Sequence, residues 1–310
     1  MRNRRTLPAL LALALTVVLW ASAFPAIRVG LDGLGVLGLS WLRLAIASAA
    51  LAVIAPVLKV RLPAVRDLPL IVLCGATGMS AYQLLLNWGE VHVAAGTASL
   101  LVAIAPVFSV LLAGAFLGER LTRPVVLGSA VAIAGAAVIA VAGGSAGVSV
   151  NALVVLAAAV VQGVYHFASK PLLARYTGVE VACYAMWTGT LLLLPLAPSA
   201  VHRLAEAPGS AVASVVYLGL LPSALGFMVW GYALARFTVA TSTAALYLVP
   251  PVALVVAFCW LGEVPHPVEL IGGLLSIAGV VLINRGKNRA EAERAKAEEV
   301  APVVSEVGNT

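Results

Sequence analysis

Thr97–Gly135 reads TASLLVAIAPVFSVLLAGAFLGERLTRPVVLGSAVAIAG, and Thr241–Gly279 reads TSTAALYLVPPVALVVAFCWLGEVPHPVELIGGLLSIAG. At an offset of 144 and without a gap, Thr97, Pro106, Leu117-Gly118-Glu119, Gly128 and Ile133-Ala134-Gly135 recur as Thr241, Pro250, Leu261-Gly262-Glu263, Gly272 and Ile277-Ala278-Gly279. Coincident Ala, Gly and Ile are cheap in so apolar a chain. A mid-helix proline and a Gly-Glu closing the same apolar run, both in register, mark a duplication. The start aligns more loosely at an offset of 142, with Trp20, Phe24 and Arg28 opposite Gln162, His166 and Lys170.

The duplicated unit is made for lipid. Of 310 residues, 62% are hydrophobic and 10% charged, and the mean hydropathy of +1.05 lies far outside the range of a soluble domain. The apolar runs reach the roughly 20 residues that cross a bilayer as helix. The net charge of +6 does not point to nucleic acid, because the basic residues sit in short clusters between apolar runs, not on one face or arm. Cys74, Cys183 and Cys259 each lie within an apolar run with no CxxC or Cys/His spacing, which predicts buried small hydrophobes and no disulfide, metal or redox role. Arg2, Arg4 and Arg5 followed by an apolar stretch and Ala21-Ser22-Ala23 imitate a signal peptide. That stretch is long for a signal core, however, and the repeat needs it as a helix.

Apolar runs between charged or Gly/Pro-rich breaks predict spans at Leu7–Ile27, Leu34–Leu58, Leu68–Trp88, Val93–Leu117, Val125–Ala142, Ala152–Leu173, Val181–Leu196, Ala211–Leu234, Ala240–Leu261 and Val268–Ile283. With the N-terminus placed inside, sixteen of the 19 Lys and Arg residues fall on the cytoplasmic side. Arg28 and Arg203 fall outside and Arg43 within the second span. This asymmetry predicts cytoplasmic N- and C-termini. In the tail after Asn284, the Arg289/Glu293 and Arg294/Glu298 pairs can extend the last helix, and disorder is expected beyond Val300.

Five spans per half is an odd number, so the second copy enters the membrane from the opposite side. The expected architecture is an all-α membrane protein of ten helices in two inverted five-helix repeats, 1–143 and 144–284, with a cytoplasmic tail at 285–310. Inverted repeats are a recurrent plan of secondary transporters, with substrate held near the midplane between the copies.

Several motifs carry a family resemblance. Leu19-Trp20-Ala21-Ser22-Ala23-Phe24-Pro25-Ala26-Ile27-Arg28 resembles the first-span signature of EamA-type members of the drug/metabolite transporter superfamily. Trp41-Leu42-Arg43 is similar to that family's aromatic-x-Arg, and Pro106 with Leu117-Gly118-Glu119-Arg120-Leu121-Thr122 to its proline and LGER-x-T pattern. Ala21 replaces the usual glycine, and the second copy departs at Val264-Pro265. The resemblance covers nearly the whole chain. It implies the same ten-helix plan, a central cavity walled by spans 1, 3, 4, 6, 8 and 9, and export of small metabolites. Within the family the chain looks most like bacterial exporters of aromatic and other neutral amino acids.

Polar and aromatic side chains at helical spacing on the expected inner faces are the candidate cavity lining, since a polar group facing lipid is costly. They are Trp20 and Phe24, below which lies Thr16; Met79, Tyr82 and Gln83; Ser99; Gln162 and His166; Ser223 and Trp230; and Thr243 and Tyr247. Each has a plainer reading, because Trp and Tyr anchor at membrane interfaces and Ser or Thr bonds its own helix. Pro106 and Pro250 are expected kinks or hinges. Arg43 either serves function or snorkels to the outer interface. Gly128/Ala132 and Gly272/Ser276 predict close helix contacts, within the monomer or between subunits of a weak homodimer.

Glu90, Glu119, Glu180, Glu263 and Glu269 all map to helix ends, and without a membrane-embedded carboxylate a facilitated or weakly coupled exporter is expected, with His166 the titratable alternative. The partners expected are a small-molecule substrate and the bilayer, with no cofactor, metal or catalytic residue. A multidrug cation exporter is the nearer rival. A membrane enzyme is the more distant one, since HExxH and paired in-span carboxylates are absent from the sequence.

Overall fold

The computed structural model describes residues 3–116, 121–142, 149–234, 236 and 245–286, and among them are helices and turns with no strand. Helical hydrogen bonding runs from Asn3 to Ile54 with a single interruption, Gly35, at φ 63 and ψ 177. That backbone region is open essentially to glycine alone. Continuous helix would set Gly30 and Leu39 about 13 Å apart along the axis, yet a Cβ on Gly30 would lie 2.7 Å from Leu39 Cδ1. The chain therefore doubles back at Gly35, giving α1 (3–34) and α2 (36–54).

Besides a shorter helix at Ala197–Glu206, the remaining helices among the described residues are α3 (Val65–Glu90), α4 (Ala95–Phe116), α5 (Arg123–Ala142), α6 (Val150–Leu173), α7 (Gly178–Leu192), α8 (Gly209–Ala233), α9 (Leu246–Leu261) and α10 (Pro267–Gly286). After α7 the chain bends by 51° into Leu194–Glu206. Among the described residues seven helices are long and apolar enough to cross a membrane, or eight if the bent pair is one span, with α1 and α2 taken together and α9 shorter. Predicted and observed limits agree to a few residues, except that the first helix runs on to residue 34 where the predicted span stops at Ile27. Residues 240–244 of the ninth predicted span, the loop 143–148, the tail from 287, and Leu117-Gly118-Glu119-Arg120 lie outside the described residues.

The duplication is written into the helix interiors. α3 switches to π-helical bonding over Gly75–Ala81, and α8 does so over Gly219–Leu225, the same place displaced by 144. α4 breaks after Val102 and resumes at Ala105, and α9 passes from a 3-10 turn at Leu246–Leu248 into helix at Val249. Pro106 and Pro250 thus stand in the first turn of the resumed helix, where the missing N–H leaves no bond broken. The helical breaks fall just ahead of these two prolines.

Paired copies run in opposite directions. The backbone N–H of Ala95, which starts α4, donates to Glu263, just past the end of α9. Gly33, at the end of α1, packs on Pro208 ahead of α8, whereas Gly231, near the end of α8, packs on Val179 at the start of α7. Two faces result: a Gly35 face, where α1 and α3 end and α4, α8 and α10 begin, and a Lys59 face opposite.

α5 and α10 cross at small residues. A Cβ on Gly128 would strike the carbonyl of Gly279, and one on Gly279 would strike the backbone of Ala132 and Gly128. Ser276 Oγ donates to the Ala132 carbonyl at 3.2 Å. The small-residue pairs are therefore used inside the chain. Large apolar side chains of these helices, such as Leu127, Leu274 and Ile271, are exposed, as befits a surface solvated by lipid. Cys74 and Cys183 are buried, but Cys259 is exposed on α9, against expectation.

Candidate functional site

The π segment of α8 organises the middle of the molecule. Widened bonding there frees backbone groups, and two consecutive residues take partners from the first copy, Pro222 through its carbonyl and Ser223 through its side chain. The Pro222 carbonyl accepts the indole N–H of Trp20 from α1 at 3.1 Å, and the Ser223 hydroxyl accepts Nε of Arg43 from α2 at 2.9 Å. Gly226 lets the indole lie against α8, since a Cβ there would come within 2.8 Å of Trp20 Nε1. Phe227 and Trp230 complete an aromatic group, with ring centroids 5.4 and 5.6 Å from Trp20. Phe227 was not expected here. It lies between Ser223 and Trp230, the two residues of this helix that the sequence singled out.

Arg43 does not snorkel. It is only 7% exposed, and its Nη1 donates to Gln83 Oε1 at 3.1 Å. The guanidinium thus ties α2 to α3 in the first copy and to α8 in the second. It is held by neutral groups, an arrangement that keeps a full positive charge available.

Gln83 begins a polar stripe on α3, with Asn87 and Glu90 following at i+4 and i+7. Asn87 Nδ2 donates to Ser40 Oγ at 2.8 Å, while its Oδ1 has no partner. Glu90 ends its helix as predicted but is fully buried, with neither carboxylate oxygen hydrogen-bonded. This corrects the expectation that no carboxylate is embedded. A helix end is exposed only if nothing covers it, and here Arg28 covers it, donating to the carbonyls of Glu90 and Val91.

The other predicted residues divide. Tyr82 is half-buried against the main core. Phe24 is in that core, and Thr16 bonds its own helix at Ala12. Met79 is buried against Gly189 of α7. Ser99 is also buried and bonds its own helix at Gly96. Gln162 and His166 of α6 lie 3.5 Å apart through their Nε2 atoms, and the Gln162 carbonyl oxygen is unpartnered. Tyr247 is half-buried and directs its hydroxyl to the Val280 carbonyl of α10 at 3.4 Å. Thr243 lies outside the described residues.

Both faces are tied by charge. On the Gly35 face Arg28 pairs with Glu263 at 3.4 Å. Thr97 donates to Glu269 at 3.0 Å, which also accepts the His266 N–H. On the Lys59 face Arg61 pairs with Glu180 at 2.7 Å, and these bonds push the Arg61 guanidinium above its ordinary pKa. Glu180 also closes a capping box with Thr177. Arg175 and Tyr176 both donate to Asp67. No metal-ligating cluster occurs among the described residues.

The sequence matches the EamA-like transporter family twice, over residues 7–141 and 150–285. It is 75% identical over 274 residues to a protein of Streptantibioticus cattleyicolor named as a probable terminal-alkyne amino-acid exporter, covering 88% of this chain and 92% of that one. A Bacillus subtilis protein named uncharacterized transporter YdfC is 36% identical, with 90% and 91% covered. A probable amino-acid metabolite efflux pump of Escherichia coli is 26% identical, with 86% and 92% covered. A crystal structure with 22% identity shares the fold at a TM-score of 0.59, spanning 91% of this chain and 98% of that one.

Proposed function

Since the chain belongs to the EamA-like transporter family, we propose that it exports small zwitterionic amino acids with apolar, unsaturated side chains, terminal-alkyne amino acids above all. The observation that carries this reading is the pairing of a buried guanidinium with an aromatic group on adjacent residues of α8. Arg43 uses two of a guanidinium's five N–H donors on Gln83 and Ser223, and the rest suit a substrate carboxylate. Trp20, Phe227 and Trp230 suit a slim π-rich side chain. The Streptantibioticus relative supports the substrate class and the Escherichia coli relative the wider one of amino acids.

In this reading the ten helices are two inverted repeats, 1–143 and 144–284, and substrate passes by alternating access at their seam in the cell inner membrane. The Lys59 face and both termini are cytoplasmic and the Gly35 face is outside, in keeping with the Lys and Arg asymmetry. Trp20, Tyr82, Gln83, Ser223 and Trp230 line the pocket, with Gln162, His166 and Tyr247 at its edges and Pro106 and Pro250 as hinges. The unit is a monomer, its small-residue surfaces being occupied between α5 and α10. Facilitated transport no longer follows from a lack of buried carboxylates, because Glu90 is one. A multidrug cation exporter fits less well, since Arg43 would repel a cation from the centre.

Counterflow in proteoliposomes tests the reading. Saturable exchange of labelled L-propargylglycine, competed by neutral amino acids but not by nucleosides, is the expected result. No exchange with any amino acid would refute it, and impermeant labelling that put the two termini on opposite faces would refute the topology.

A further inference from the structure

Among the described residues, three buried polar atoms without a hydrogen-bond partner lie within one turn of α3: Asn87 Oδ1 and both carboxylate oxygens of Glu90. All three are acceptors. An ionised carboxylate closed off from water and from every donor is among the costliest arrangements in a protein. The charged neighbours Arg28 and Arg43 attract it but give it no hydrogen bond. Arg28 of α1 directs Nη1 to the carbonyls of Glu90 and Val91 and Nε to Glu263, and none of these contacts is to the Glu90 carboxylate. Arg43 of α2 spends two on Ser223 and Gln83. Glu263, beyond α9, carries the same sign as Glu90, and Tyr82 on α3 adds no positive charge. α6 meets Gly89 through Asn151 and Val155, neither of which titrates. His92, two residues on, is exposed.

One proton removes the difficulty. A neutral carboxyl group carries its own donor, and Asn87 Oδ1, three residues earlier on the same face, is an acceptor lacking one. Arg28, Glu263 and the Ala95 N–H close α1, α3, α4 and the α9–α10 turn over this spot, so water reaches Glu90 only when those ties part.

We propose that Glu90 is a proton-binding site of the outer gate: the Gly35 face closes over it only after it takes one proton from the medium, and reopening returns that proton to the same side. The closed-to-open ratio then falls tenfold per pH unit wherever the open form is ionised and the closed form is not. The inference rests on the export reading only in treating this face as one that opens.

The test uses the purified full chain in detergent micelles, where both faces meet the buffer and topology plays no part. In a Cys259→Ser background, Val93→Cys places a thiol at a buried site between Glu90 and Ala95, and Val264→Cys, 76% exposed in the parent, reports the thiol's own titration. Maleimide labelling at Val93→Cys, divided by that at Val264→Cys, is expected to rise about 100-fold from pH 6 to pH 8 while the closed form dominates. Glu90→Gln, which keeps the shape of the neutral acid, should flatten the rise. Glu263→Gln, which loosens the gate, should raise labelling at every pH and keep the slope.

A flat wild-type ratio overturns the proposal even if Glu90→Gln fails to fold. So does an unchanged slope in a folded Glu90→Gln, which would assign the titration to His92. Uphill accumulation of L-propargylglycine in acid-loaded vesicles, abolished by Glu90→Gln, would show that the proton crosses the membrane and overturns its return. Absence of L-propargylglycine counterflow at any pH counts against the export reading, leaving the labelling result to stand or fall separately.

Discussion

Replacing Arg43 with Met should separate what this residue does for stability from what it does for transport. The loss comprises two hydrogen bonds from a charged donor, to Ser223 Oγ at 2.9 Å and Gln83 Oε1 at 3.1 Å, about 1.5–3 kcal/mol each. Against this stands relief from burying a guanidinium with no carboxylate bonded to it, a cost of several kcal/mol. The contributions cancel to within about 2 kcal/mol, so Tm should move by only ~5 °C or less. A substrate carboxylate has no such compensation. Losing its charge-assisted contact costs about 3 kcal/mol, or ~150-fold in the KM for L-propargylglycine counterflow. Arg43→Lys keeps the charge without the planar fork and should recover about tenfold of that loss. Propargylamine, which has no carboxylate, should be a poor substrate for both parent and variant. The reasoning fails if Arg43→Met keeps the parental KM. It fails equally if Tm collapses and transport falls only in proportion to folded protein, which would make Arg43 a strut between the halves.

Trp20→Ala removes the bond to Pro222 and two aromatic contacts, and should raise the KM for the alkyne substrate ~10-fold. Trp20→Phe should recover most of it, and equal effects on alanine counterflow would count against a side-chain pocket. Gly279→Leu drives a side chain into the backbone of Gly128 and Ala132, which cannot yield as a side chain can. A loss of about 3 kcal/mol or more is expected, read as a lower Tm and membrane yield. On the Lys59 face, Glu180→Ala should lower Tm more than Arg61→Met does. Glu180 is buried and its carboxylate accepts from Arg61 and Thr177, whereas the Arg61 side chain is 59% exposed and can turn to water.

The span limits and the duplication were legible because hydropathy and an ungapped offset are properties of residue types. A boundary between the first two spans was legible too, but it was placed at 28–33, where the structure carries helix on to the turn at Gly35. The π segments were not. Gly75–Ala81 and Gly219–Leu225 hold no residue pattern that separates i→i+5 from i→i+4 bonding, yet one of them brings Trp20 and Arg43 to adjacent residues of α8. Helical spacing placed Met79 and Ser99 in the site, but their partners are Gly189 and the Gly96 carbonyl. Spacing fixes which side of a helix a residue occupies and leaves open which neighbour that side meets.

Glu90 shows the same gap where it matters most. In the sequence it is one acid among five at helix ends, and a helix end in a membrane protein normally meets water or headgroups. Its burial is decided by Arg28, 62 residues earlier, and by Glu263, from the other copy of the repeat. Neither residue reads as a cover, since each alone looks like an ordinary loop charge. Because the two halves meet antiparallel, the end of α9 arrives at the start of α4 and Glu263 reaches the ring around Glu90. The chemistry of that carboxyl group is therefore a property of the seam between the halves, and no reading of either half alone could have found it.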